Sequence, residues 1–224
     1  MALPKLNTPT YELEQPSTGK KIKYRPFLVK EQKTLMMAQE SDDESDIKNA
    51  LASIITNCTF AKVDTFSLPI FDIEYFFLRI RGKSIGEKVD INLICPDDNE
   101  TTVKKSVNLE DIGVNMKVGH TNEIKINDSI KVIMRYPTLN DLSDMDADMK
   151  MSKDAFKMIK RCVHEIYDGE KVYNKIDISE KELDEFIDSL TTDQFEKVTD
   201  FFDTMPKVQH SVEVTNPKTK KKSK

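Results

Sequence analysis

The apolar residues of this chain change their spacing twice, and that alternation limits what it can fold into. Ile47, Ala50, Leu51, Ile54, Ile55 and Cys58, then Ile73, Phe76, Phe77 and Ile80, recur three and four residues apart, as on one face of a helix. Past Gly82 and Gly86 the period drops to two through Val89, Ile91, Leu93 and Cys95, as in a half-buried strand. Beyond Tyr136-Pro137 the helical spacing returns. Strands set apart from helices in this way specify an α+β chain: an N-terminal hairpin plus helices, a central two-hairpin antiparallel β insertion, and a helical C-terminal half. The segments implied are 1–86, 87–136, 137–206, and a strand with a basic tail at 207–224.

Local signals set the boundaries. Thr10 to Leu13 and Lys20 to Arg25 form a hairpin across Gln15-Pro16-Ser17-Thr18-Gly19, with Ile22 and Tyr24 on one face and Lys21, Lys23 and Arg25 on the other. Pro26, which has no N–H to donate, ends the ladder. A helix over about 30–39 follows, with Leu35, Met36 and Ala38 available to pack, and Ser41-Asp42-Asp43-Glu44 caps a second over 44–58. Pro69 starts an aromatic-rich third helix, which Gly82 and Gly86 punctuate. One β-hairpin turns at Pro96 to Glu100; another joins Glu123–Ile126 to Ser129–Arg135 through a two-residue Asn127-Asp128 loop. Leu109 to Thr121 is expected to be a loop. Four helices follow, at about 138–149 and 152–167 and from the caps at Ser179 and Thr191, the last ending before Met205-Pro206. Ser211 to Thr215 alternates like a strand, yet after Asn216-Pro217 the chain continues into lysines where a returning strand is expected. No internal repeat is visible.

Charge and composition exclude several classes. With 34 basic and 39 acidic residues the net charge is −5, which gives no general affinity for nucleic acid or an anionic membrane. The N-terminus lacks the pattern of a signal peptide, and no apolar run approaches the roughly 18 residues of a spanning helix. Cys58, Cys95 and Cys162 are far apart and lie in apolar patterns, so they are expected to be reduced, packed thiols.

Catalytic and metal motifs are incomplete. Cys95-Pro96-Asp97-Asp98 resembles a zinc knuckle with Asp98 in place of the second thiolate, and no second pair is present. Asp144-Met145-Asp146-Ala147-Asp148 starts like an EF-hand loop, but Met149 replaces the glycine and Ala155 the bidentate glutamate. His120, His164 and His210 have no recognisable nucleophile beside them, and the six glycines are scattered singly. No cofactor and no enzymatic activity are expected. Lys218, Lys220, Lys221, Lys222 and Lys224 lack interleaved aromatics and form a solvated tail.

A partner-binding surface has better support. Lys21, Lys23, Tyr24, Arg25 and Phe27, with the exposed side of the helix after them, can dock a protein; alternatively Tyr24 and Phe27 are core and the lysines merely solvated. Val212 and Val214, in the strand without a return, are candidates for addition to a partner's sheet.

Several phrases carry a resemblance: Gly19 to Ser41, Ile54-Ile55-Thr56-Asn57-Cys58-Thr59-Phe60, Leu68 to Leu78, Lys83-Ser84-Ile85-Gly86-Glu87, and Phe201 to Lys207. In these the chain resembles the baseplate hub assembly proteins of T-even-like contractile-tailed bacteriophages. The resemblance implies a late viral protein of baseplate central-hub assembly, either a noncatalytic chaperone binding hub or tape-measure protein or a structural hub subunit. Self-association is a further option. It implies the host cytoplasm during assembly, or the virion tail. It also implies an apolar strand after the final turn, which this chain lacks; the lysine codons are then a candidate site of frameshifted extension.

Overall fold

A computed structural model describes residues 6–41, 43–143 and 151–223. Two compact units account for the chain: Met1–Thr65, Phe71–Asn115 and Val208–Lys224 in the first, Phe66–Ile70 and Met116–Lys207 in the second. The architecture is α+β, with seven helices and small antiparallel sheets among the described residues. The two expected central hairpins are divided between the units.

In the first unit β1 (Tyr11–Glu14) pairs with β2 (Lys21–Tyr24), and the chain runs at once into α1 (Val29–Glu40) and α2 (Glu44–Cys58). The cap of α2 is Asp43, which accepts from the Ser45 N–H, rather than Ser41. Alpha-helix α3 (Ile70–Ile85) buries Phe71, Ile73, Phe76 and Ile80. Gly82 is a buried residue inside it, and Gly86, at φ 129°, ends it. Strands β3 (Lys88–Ile94) and β4 (Thr102–Asn108) form the expected hairpin. The expected loop at 109–121 contains a strand, β5 (Gly113–Asn115), whose pairing depends on residues far along the chain.

The second unit is built on a four-stranded sheet in the order β6 (Glu123–Lys125), β7 (Ile130–Met134), β8 (Val163–Asp168), β9 (Lys171–Asn174). Between β7 and β8 lie α4 (Leu139–Ser143) and α5 (Met151–Cys162); α6 (Glu180–Asp188) and α7 (Thr192–Thr204) follow β9. Ile124, Val132, Met134, Ile159, Cys162, Leu183, Val198 and Phe201 belong to one buried cluster. The capping boxes at Ser179/Glu182 and Thr191/Gln194 form as expected. The 144–148 acidic run lies outside the described residues.

Two expectations about this unit are corrected. The helix expected to run to 167 stops at Cys162, because Val163 to Asp168 pairs with β7 and places Val163 and Ile166 in the same core as Ile159 and Cys162. The signal for that strand was Asp168-Gly169: Asp168 pairs with Lys171, and Gly169 takes φ 60° in the two-residue loop. The C-terminal half is therefore mixed rather than helical. The Asn127-Asp128 loop is also longer than two residues, since Lys125 pairs with Lys131 and Asn127 accepts from the N–H groups of Ser129 and Ile130.

The chain then adds β10 (Lys207–Gln209), which pairs with β5, and β11 (Val214–Thr215), which pairs with β12 (Lys222–Ser223). The lysine-rich tail thus itself supplies the returning strand expected after Asn216-Pro217.

Candidate functional site

The basic strand, Pro26 and the first helix are organised by Arg25. The arginine was expected on the solvent face with Lys21 and Lys23, but it is buried. Its guanidinium forks onto Glu31 six residues on (Nη2 to Oε1 2.9 Å, Nη1 to Oε2 3.2 Å) and donates to the Pro26 carbonyl. Glu31 also accepts from the Leu28 N–H at the start of α1, and the Arg25 N–H donates to the Cys58 carbonyl at the end of α2 (2.9 Å). Burial pushes the Glu31 carboxyl up, but these donors outweigh it and hold it below the usual carboxylate range. One ion pair thus closes strand, turn and two helices together.

The second unit contains the same device. Arg135 forks onto Asp141, again six residues on, with both contacts at 2.7 Å, and donates to the Tyr136 carbonyl. Asp141 accepts from the Thr138 N–H as Glu31 does from Leu28, and the Arg135 N–H donates to the Cys162 carbonyl, the last residue of α5 (2.7 Å). Arg25-Pro26 through Glu31 and Arg135-Tyr136-Pro137 through Asp141 are matching clamps, each closing a hairpin against a helix that ends in a buried cysteine. The chain therefore has an internal structural repeat that hydrophobic periodicity does not reveal. An arginine at a strand end, a proline within two residues and a carboxylate at the sixth was the signal. Burial pushes the Cys58 thiol up to about 11 and the Cys162 thiol up to about 12, against the pull of the neighbouring arginines, and leaves both protonated at neutral pH.

A second repeated device joins the hairpins of the first unit. In Gln15-Pro16-Ser17-Thr18-Gly19, Cys95-Pro96-Asp97-Asp98-Asn99 and Asn216-Pro217-Lys218-Thr219-Lys220 the first carbonyl accepts from the fifth N–H, and the fifth residue takes φ 69°, 55° and 62°. The first turn is anchored on buried Asp72, which accepts from Gln15 Nε2 (2.8 Å) and the Ser17 N–H (3.0 Å). The other two dock on each other: Asn216 Nδ2 donates to Asp97 and to Asp98 at 2.9 Å each, and Thr219 donates to Asp97. Hydrogen bonds from Thr219 and Asn216 hold the Asp97 carboxyl low, and those from Thr101 and Asn216 do the same for Asp98. The knuckle-like motif thus spends its carboxylates on another part of the chain. Among the described residues no three His, Cys, Asp or Glu side chains gather as a metal-binding group.

The candidate binding residues divide by burial. Lys21 and Lys23 are exposed, and Lys21 lies 3.6 Å from Glu12. Tyr24 and Arg25 are buried, Tyr24 packing on the Tyr11 ring. Phe27 is half-buried against Phe77, and its N–H donates to Ser84 Oγ. Val214 is buried within β11 and Val212 is half-buried, so only part of that strand is free to meet another chain. The exposed side of α1 was expected with these residues, but its apolar content was not: Met36, expected to pack, is exposed with Val29 and Met37, and Met37 borders a groove of about 440 Å³ between α1 and α2. A weak helical period hid it.

His120, unpaired in the sequence, sits between Thr204 Oγ1 (2.9 Å) and the Tyr136 hydroxyl (3.0 Å) and stacks on Tyr136. Burial lowers its pKa, as for a neutral structural imidazole.

A family model described as T4 bacteriophage base plate protein matches residues 8–224. The chain belongs to that family. No curated protein and no solved structure matches it. Membership makes this a T4-like phage baseplate protein with a structural or assembly role, and no described helix is long and apolar enough to cross a membrane.

Proposed function

We propose that this baseplate protein acts without catalysis in assembling the central hub, as a chaperone that binds hub or tape-measure protein through the first unit. The observation that carries this reading is the exposed Val29, Met36 and Met37 of α1 beside the α1–α2 groove. A flexible methionine at the groove, Met37, with Met36 exposed next to it in the chain, suits a partner helix that must later be released. Lys21 and Lys23 on the adjoining strand would add electrostatic steering.

Affinity capture of the full chain from infected cells, with identification of bound proteins, tests it. The wild type should retain a hub or tape-measure protein that a Met36→Glu/Met37→Glu variant loses. Equal retention by both sinks the groove. Mass spectrometry of purified virions separates the two roles: a chaperone is absent or trace, whereas a hub subunit is present at fixed copy number.

A further inference from the structure

The second unit has a surface of opposite character. Between residues 165 and 193 stand ten acidic residues and three lysines, a local charge of −7 in a chain whose total is −5. The same stretch holds the edge of the sheet. β9 has β8 on one side and, among the described residues, no strand on the other, and all four of its residues are exposed. Val172 and Tyr173 on β9 are 44% and 45% exposed, and Ile176 just beyond is 92% exposed, which leaves apolar side chains along an open ladder.

Beside that edge lies a cleft of about 320 Å³. Its floor is apolar, with Ile166 and Leu183 buried and Phe186 half-buried, and Tyr173 forms one wall. Asp168, Asp177 and Glu182 stand exposed around it. Glu182 is engaged by the Ser179 cap, and Asp177 is 3.5 Å from the Asn174 amide; Asp168 is the rim carboxylate nearest the Gly169 turn. Unpaired strand edges recruit extended chains, side-chain pockets select them, and the surrounding charge decides which ones approach. A second copy of this edge would bring Asp168, Asp177 and Glu182 against the same three carboxylates, so like-charge repulsion disfavours self-pairing here.

We infer that β9 and the adjoining cleft form a docking site for an extended, lysine- or arginine-rich segment of a partner protein, which adds to the sheet edge and sets its apolar residues over Tyr173 and into the cleft. The site is separate from the α1–α2 groove and does not depend on it.

The test uses the full chain and a fluorescein-labelled peptide of alternating lysine and valine, followed by anisotropy at low and physiological salt. The peptide should bind, its glutamate–valine counterpart should not, and NMR shifts should concentrate in β9 and α6. An Asp168→Lys/Asp177→Lys variant should weaken binding at least tenfold, Lys171→Glu should tighten it about threefold, and Glu100→Lys in the first unit should leave it unchanged. Circular dichroism checks that each variant is folded. Equal binding of the glutamate peptide, indifference to the Asp168/Asp177 reversal, or shifts concentrated outside the second unit would each overturn the assignment. So would self-association that Tyr173→Asp abolishes, because the occupant would then be a second copy.

Discussion

The two units share a clamp and differ in nearly everything around it. The residues of the first carry a net charge of +1 and those of the second −6. In the first, the clamp's hairpin stays two-stranded and the helix after Cys58 gives way to a turn in which Phe60 and Ala61 take positive φ. In the second, Cys162 passes straight into β8, which pairs with the clamp strand and extends the sheet to four. The same local closure therefore supports different surfaces: a methionine-bordered groove in one unit, an acidic strand edge in the other. Local ion pairing sets the same frame in both units, and the residues outside it give each its own surface.

The sharpest way to break this comparison is to remove each arginine. Arg25 is 9% exposed and Glu31 2%, so Arg25→Ala leaves the buried carboxylate with only Lys30 at 3.4 Å and the Leu28 N–H, and should cost about 3 kcal/mol. Arg135 is 38% exposed, water can replace part of what it supplies, and Arg135→Ala should cost about 1–2 kcal/mol. Urea unfolding of both variants measures the difference; equal losses would mean the clamps are energetically alike despite their burial.

Acid should act on the second clamp next. Burial pushes Asp141 up, yet hydrogen bonds from Arg135 and Thr138 prevail and bring it to about 2, against 3.8 for an ordinary aspartate. Its contribution is complete above about pH 4 and is lost as the pH falls through 2, amounting to about 2 kcal/mol. Asp141→Asn should flatten the loss of stability in that window, followed by acid titration of tryptophan-free circular dichroism signals; an unchanged profile would assign the acid response to other carboxylates.

Smaller effects test the mated turns. Asn216→Ala removes the two amide hydrogen bonds to Asp97 and Asp98 and should cost about 1–2 kcal/mol, with faster amide exchange at residues 95–101. Protection unchanged there would show that the two turns are held by something else. Smallest is the backbone effect at the fifth turn position. Lys220→Gly relieves a left-handed lysine and should gain about 1 kcal/mol, whereas Gly19→Ala should lose about as much, read as opposite shifts in Tm.

Much of the secondary structure was legible because its causes are local. The capping boxes of α6 and α7, Pro69 before α3, and the alternation of Val89 to Cys95 are fixed by neighbours within a few residues. Of the candidate surface only the lysines lie open as expected, since Tyr24 and Arg25 obey partners that spacing cannot name: Tyr11 across the ladder and Glu31 across the turn. That Met36 lies on the open side of α1 was hidden for the opposite reason, because an exposed methionine looks like core in a sequence.

By itself the sequence determined the α+β class, most helix and hairpin positions, and the lack of a recognisable catalytic motif, all of which follow from period, caps and turn chemistry. The tertiary structure alone decided that Val163 to Asp168 is strand, that lysines complete the final hairpin, and that the two arginine clamps match. The strand rests on a ladder to β7 far back in the chain, and the final hairpin and both clamps, though closed over short spans, are seated on distant groups: Asn216 on Asp97 and Asp98, Arg25 and Arg135 on the Cys58 and Cys162 carbonyls. Helical and strand preferences differ by tenths of a kcal/mol per residue, while a ladder or a buried ion pair contributes several times that once its partner is in place.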